Sequence, residues 1–249
     1  ELGLNPFVYS PYTLVEAGWG LLCGDFCADD PKHENIPFLG GWLVSGFLGF
    51  GDVRDLPSTI IDGDWLSFGL TVVALAPVIG DAESTLNKLV KMATKSDKMM
   101  LETFEFAAKS DKLKPLLVRA VDAVTENRAT TFISKGATEE DIVHVAAQRG
   151  NFKETRNIVK DVLGRTRWLE EGNSASGWSH ILERHRDAFA DAFGTTKDSE
   201  IEALIYKSIK EGITEPNPGG GTRYILDVGG KKLRTAVSEN GYILTSHPI

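Results

Sequence analysis

Cysteine is nearly missing from this chain. It occurs twice, as Cys23 and Cys27 in the run CGDFC. Two cysteines cannot build a disulfide scaffold, and without a second pair there is no four-cysteine zinc site. A short-loop disulfide in an oxidising compartment and two free thiols are equal readings. Long apolar runs are missing too, for none reaches the ~20 residues of a membrane-spanning helix. The two longest, 36–50 (IPFLGGWLVSGFLGF) and 65–79 (WLSFGLTVVALAPVI), are loosened by Gly40, Gly41, Gly46, Gly49 and Pro77. They read as buried core helices or as a hairpin that enters a bilayer, its turn marked by Asp52, Arg54, Asp55, Asp62 and Asp64. Positive charge is not in excess: 27 Lys and Arg face 35 Asp and Glu, for a net charge of −8. That excludes a general nucleic-acid binder but leaves room for an enzyme with one local cationic groove. The chain opens at Glu1 with neither Met nor a basic leader, which reads as a piece excised from a longer protein.

What is present is an ordinary globular composition, 42% apolar and 25% charged over 249 residues, enough for one large or two ordinary domains. After a loop-like start, residues 81–163 read as helix throughout, with caps at Ser96, Ser110 and Thr138, the last opening a T-E-E-D capping box. His144 lies in one of these helices as a packed residue. Residues 164–176, loosened by Gly164, Gly172, Asn173 and Ser174, read as a linker. Two helices follow, 179–193 and 197–212, and the run ITEPNPGGG (213–221) ends helical structure.

The final 28 residues change period: three β-prone runs, TRYILDV, KKLRTAVSE and YILTSHPI, are joined by Gly-Gly and Asn-Gly. That is an antiparallel meander with two tight turns. Two-residue turns set Val228 opposite Lys231 and Glu239 opposite Tyr242. Alternation then gives a core face of Tyr224, Leu226, Leu233, Val237 and Leu244. The open face carries Arg223, Ile225, Lys232, Arg234, Ala236, Ile243, Thr245 and His247, with Arg223, Ala236 and Thr245 in one cross-strand row and Ile225, Arg234 and His247 in the next. The whole reads as multidomain α and α+β. A helical module (1–163) and a linker (164–176) precede a small α+β domain (177–249) with two helices on an antiparallel meander.

The chemistry concentrates in GWSHILERHR (177–186), which holds two of the five histidines with arginines beside them. Histidine exchanges protons near neutrality, and arginine grips phosphate through a rigid fork of donors. Ser179 reads as the N-cap, which puts His180 in the first turn, where free backbone N–H groups attract anions. Five residues of helix is ~140° of rotation, so the two rings should point apart and make a poor zinc pair. His185 falls in the apolar stripe with Ile181, Leu182, Phe189 and Phe193, which fits a packed core histidine as well as a catalytic one. If it is buried against the core, His247 becomes the better partner for His180. Arg223 and Thr245, with Arg234 and His247 beside them, would bind phosphate.

The pattern GFGDVRDL…IDGD…VVALAPVIGDAES (49–84) resembles the pretoxin region ahead of toxin domains in bacterial polymorphic toxins, including the C-termini of contact-dependent growth-inhibition (CdiA-like) proteins. The tail GWSHILERH…GGGTRYILDV…NGYILTSHP resembles the small ribonuclease toxins of the barnase, EndoU, colicin and RelE-like group. The resemblance implies a secreted or surface-delivered toxin that acts in the cytoplasm of a target bacterium. Its helical module would aid crossing of the inner membrane through transient contact, and its C-terminal endoribonuclease, needing no cofactor or metal, would cut RNA, typically tRNA. A cognate immunity protein is implied as partner. His180 and His185 match the motif histidines, Arg223 the strand arginine and Thr245 the terminal threonine; Arg234 and His247 come from the strand register alone. The tail departs from the group in charge, with 10 Lys and Arg against 12 Asp and Glu over 166–249. The other reading is a membrane-disrupting, pore-forming toxin carried by residues 36–79.

Overall fold

The computed structural model describes residues 15–20, 27–45 and 82–249. They form a mixed α and β protein with two compact units, Glu1–Asn127 and Arg128–Ile249. Residues 46–81, which carry most of the hairpin reading and of the pretoxin-like pattern, lie outside the described residues.

In the first unit, α1 (Ile36–Ser45) buries Phe38, Leu39 and Trp42. Three amphipathic helices follow, α2 (Ala82–Ala93), α3 (Asp97–Lys109) and α4 (Lys114–Val124), each packed on the other two. Ser96 caps α3 through the Met99 amide, as expected; Ser110 instead closes that helix, and α4 starts without a side-chain cap. Cys27 is disulfide-bonded, while Cys23 lies outside the described residues. Among the described residues no helix is long and apolar enough to cross a membrane.

The second unit begins with α5 (Arg128–Ser134) and α6 (Glu139–Ala147), the latter opened by the expected Thr138–Asp141 capping box. Then the structure departs from the all-helical reading. Residues 155–170 form a hairpin of β1 (Thr155–Lys160) and β2 (Thr166–Glu170), so the expected linker contributes a strand, and the two units divide before this hairpin. No alternation announces it, because Thr166 to Leu169 are all buried, which hides the period of two. A buried carboxylate clips it shut. Asp161 accepts hydrogen bonds from the Leu163 and Arg165 amides, from Arg165 Nε at 2.8 Å and from the Tyr224 hydroxyl, and it pairs with Arg167 at 3.1 Å.

Helices α7 (Gly177–Phe193) and α8 (Asp198–Glu211) pack beside a sheet of order β3-β4-β5-β6: Ile213–Pro216, Thr222–Val228, Lys231–Val237 and Ile243–Pro248. Strand β3 falls in the segment read only as a helix stop; at four residues it is too short to show a period. The meander register is as expected over β4 and β5, from Val228 opposite Lys231 to Arg223 opposite Ala236. Glu239 does not pair with Tyr242, because a bulge at Ala236/Val237 sets Val237 opposite Ile243. The bulge puts Ile243 in the core in place of Leu244, yet Ala236 still pairs with Thr245 and Arg234 with His247. The core joins Trp178, Ile181 and Phe189 of α7 and Ile201, Ile205 and Ile209 of α8 to Tyr224, Leu226, Leu233, Val237 and Ile243.

Burial alone would raise the Asp161 carboxyl, but the hydrogen bonds from Tyr224, Arg165 and Leu163 outweigh it, so its pKa lies below the ordinary 3.8. Its contribution is therefore complete above that value and is lost as pH falls through the lower, folded-state pKa. Asp161→Asn leaves Arg167, 5% exposed, buried without its counter-charge. Urea denaturation at neutral pH should show a loss of ~3–5 kcal/mol, shrinking towards pH 2.

Candidate active site

Helix α7 starts two residues before the expected Ser179, with Ser176 at the N-cap position. Loop 171–176 folds back on it: Ser179 N–H donates to Glu171 O, and Asn173 and Ser176 form a bridge. Gly172 and Gly177 have φ of 63° and 84°, and a Cβ on either would stand 2.8 or 2.4 Å from the Tyr242 hydroxyl, so only glycine lets the loop close there. The closed loop presents the Ser174 carbonyl to His180 Nδ1 at 2.9 Å. That bond keeps a proton on Nδ1 and leaves Nε2 free.

The expectation that the two helix histidines diverge is not met. Their ring centroids are 5.5 Å apart at 80°. Helical side chains lean towards the N-terminus, so the His185 ring tilts back along the axis, while the Ser174 carbonyl draws the His180 ring out of its radial direction. His185 in turn lies 4.7 Å from the His247 ring. Because α7 runs along β6, the outermost strand, a helix residue at this edge reaches a side chain on the open face. The two histidines between which the sequence left the choice open are thus in contact.

His247 and Arg234 are cross-strand partners, and Arg234 Nη2 lies 2.6 Å from His247 Nε2. A guanidinium only donates, so Nε2 accepts, and the imidazole carries its proton on Nδ1. Arg223 and Thr245 flank Ala236 in the adjacent row. The Thr245 Oγ1 and His247 Nδ1 atoms are buried and have no hydrogen-bond partner. Arg156, Arg165, Arg167 and Arg186 are each paired with carboxylates, whereas Arg223 and Arg234 form no salt bridge among the described residues. Arg223 Nε instead donates to Asn217 Oδ1 at 3.0 Å.

Electrostatics follow from this crowding. Burial pushes the His247 pKa down, and Arg234, His185, His180 and Arg223 push it further, to about 4. Burial, then His180 and Arg184, lower that of His185. All six predicted residues, His180, His185, Arg223, Arg234, Thr245 and His247, therefore belong to one contact chain or to its two adjoining sheet rows. Sequence reading missed Ser174 and Asn217, which act on this group from loops. No group of three or more His, Cys, Asp or Glu among the described residues is arranged to hold a metal ion. The arrangement suits a bound anion beside groups that can move protons.

Comparison with protein-family models and with curated proteins finds no match to this chain.

Between about 4 and the ordinary 6.5, the unfolded chain holds a proton at His247 that the folded chain refuses. Stability should therefore fall as pH drops through that window and level off below it, and His247→Gln should flatten the slope in chemical denaturation. In a proton NMR titration His247 should turn over near 4, and Arg234→Ala should move its midpoint upward but leave it below 6.5, because burial is the larger cause.

Proposed function

We propose that this protein is a bacterial toxin effector whose second unit is a metal-independent endoribonuclease. The observation that carries the reading is the meeting of three imidazoles, with Arg234 hydrogen-bonded to one of them and Arg223 in the neighbouring row, where neither arginine has a carboxylate partner among the described residues. The reaction is attack of a ribose 2′-OH on the adjacent phosphate, giving a 2′,3′-cyclic phosphate. It needs a base for the 2′-OH, an acid for the leaving 5′-oxygen and cations for the charge on the phosphorane.

His185, its pKa lowered, is neutral at pH 7 and takes the 2′-OH proton. His180, entering the step as the imidazolium with Nδ1–H held by the Ser174 carbonyl, gives its Nε2 proton to the leaving oxygen and ends neutral. Arg223 and Arg234 clamp the phosphate, and the Thr245 hydroxyl and His247 Nδ1–H donate to its oxygens. In this reading His247 binds and does not transfer protons, because Nε2 is held by Arg234. The fold reading is a helical module before a small nuclease domain. The first unit aids transfer into the target cytoplasm by transient membrane contact, tRNA is the substrate, and an immunity protein protects the producing cell.

The full chain should cleave RNA in the presence of EDTA and leave 2′,3′-cyclic phosphate ends. His180→Ala and His185→Ala should each reduce the rate by ~10²–10⁴ with circular dichroism unchanged. Undiminished cleavage in both variants sinks the proton-transfer assignment. Liposome leakage without any RNA cleavage would point instead to the membrane-disrupting reading.

A further inference from the structure

We infer that Asn217 is a positioning residue for Arg223, aiming its guanidinium with a neutral amide so that the full positive charge stays available to a phosphate. This rests on the ribonuclease reading, in which Arg223 is a clamp.

Asn217 lies in the loop between β3 and β4, in the run Pro216–Asn217–Pro218–Gly219–Gly220–Gly221. A residue before proline is held extended, and Pro216 restricts the chain on the other side. The loop is closed by Asn217 N–H to Gly221 O at 3.2 Å and by Gly220 N–H to Asn217 O at 2.9 Å. Its side chain is fixed at both ends. Nδ2 donates to Gly220 O at 2.8 Å, and Oδ1 accepts from Arg223 Nε at 3.0 Å. An amide flipped the other way would set its donors against Nε and lose the acceptor Gly220 O, so the two bonds define one orientation.

Glu215 stands directly opposite Arg223 on β3, side chains on the same face, and no ion pair joins them. Four other arginines of this unit, Arg156, Arg165, Arg167 and Arg186, are held by carboxylates, as Asp161 holds Arg165 and Arg167. A carboxylate on Nε would orient the fork equally well but would oppose an incoming phosphate. The Asn217 amide orients without cancelling charge, and Arg223 acts electrostatically on His247 as one of its cationic neighbours. Through Arg223, the loop thus belongs to the site although it touches none of the histidines.

The test compares Asn217→Ala and Asn217→Asp in the full chain, with inorganic phosphate as probe and the Arg223 Nε–H NMR resonance as a second readout. Asn217→Ala should weaken phosphate binding ~5-fold, the worth of one hydrogen bond, and lose the protected Nε–H signal. Asn217→Asp should keep that signal while weakening phosphate on the order of tenfold, as expected of an opposing charge beside the anion. Neither change should add to Arg223→Ala. Wild-type affinity in both Asn217 variants, with affinity lost in Arg223→Ala, overturns this inference alone. Unchanged affinity in Arg223→Ala overturns it together with the clamp on which it rests.

Discussion

A row of buried polar side chains fixes the register of the meander, and the site on the opposite face depends on it. Tyr224, Thr235 and Ser246 are cross-strand partners on the core face, all fully buried. Thr235 Oγ1 lies 2.8 Å from Ser246 Oγ and 2.5 Å from Ser208 Oγ of α8, and the Tyr224 hydroxyl reaches Asp161 in the hairpin turn. Apolar packing tolerates small shifts, whereas a hydroxyl chain in a dry core has partners at one register only. A one-residue slip would turn these groups to solvent and bring Arg223 and Arg234 into the core. The same bonds that close the core therefore keep Arg234 beside His247 and Arg223 in line with Thr245.

Much of this was legible in the sequence because the turns declare themselves. Gly-Gly and Asn-Gly between β-prone runs count the residues on each strand, and the count alone placed Arg223, Ala236 and Thr245 in one row. The bulge near Val237 left that row intact, since it falls on the turn side of Ala236, and it exchanged only Ile243 with Leu244. The β1–β2 hairpin was not legible. Its second strand is buried on both faces, its turn residue Asp161 works through partners as distant as Tyr224, and neither fact leaves a local period. Asn217 and Ser174 were hidden for a related reason: each acts through one hydrogen bond from a loop, which no composition or spacing encodes.

The histidine spacing shows where helix geometry misleads. Rotation about the axis predicts divergence for residues five apart, but it describes Cβ directions and ignores the axial lean of long side chains. With one ring drawn to a loop carbonyl and the other resting on a strand histidine, the sheet edge sets the approach. Helix α7 thus serves two surfaces. Trp178, Ile181 and Phe189 anchor it in the core, while His185 reaches His247 on the open face and His180 rests against His185.

Gathering these groups is unfavourable in the free protein. Burial disfavours the cation at both His185 and His247; His180 and Arg184 add to this at His185, and Arg234 and Arg223, which form no salt bridge among the described residues, add to it at His247. The chain carries a net charge of −8, so counter-charges exist, yet even Glu215, opposite Arg223, is not drawn in. One bound anion would reverse each term. It would pair both arginines, give Thr245 Oγ1 and His247 Nδ1 the partners they lack, and favour a proton on His185, which now resists one. A phosphate that gains charge in the transition state does this more strongly than one at rest, and that difference is what catalysis requires.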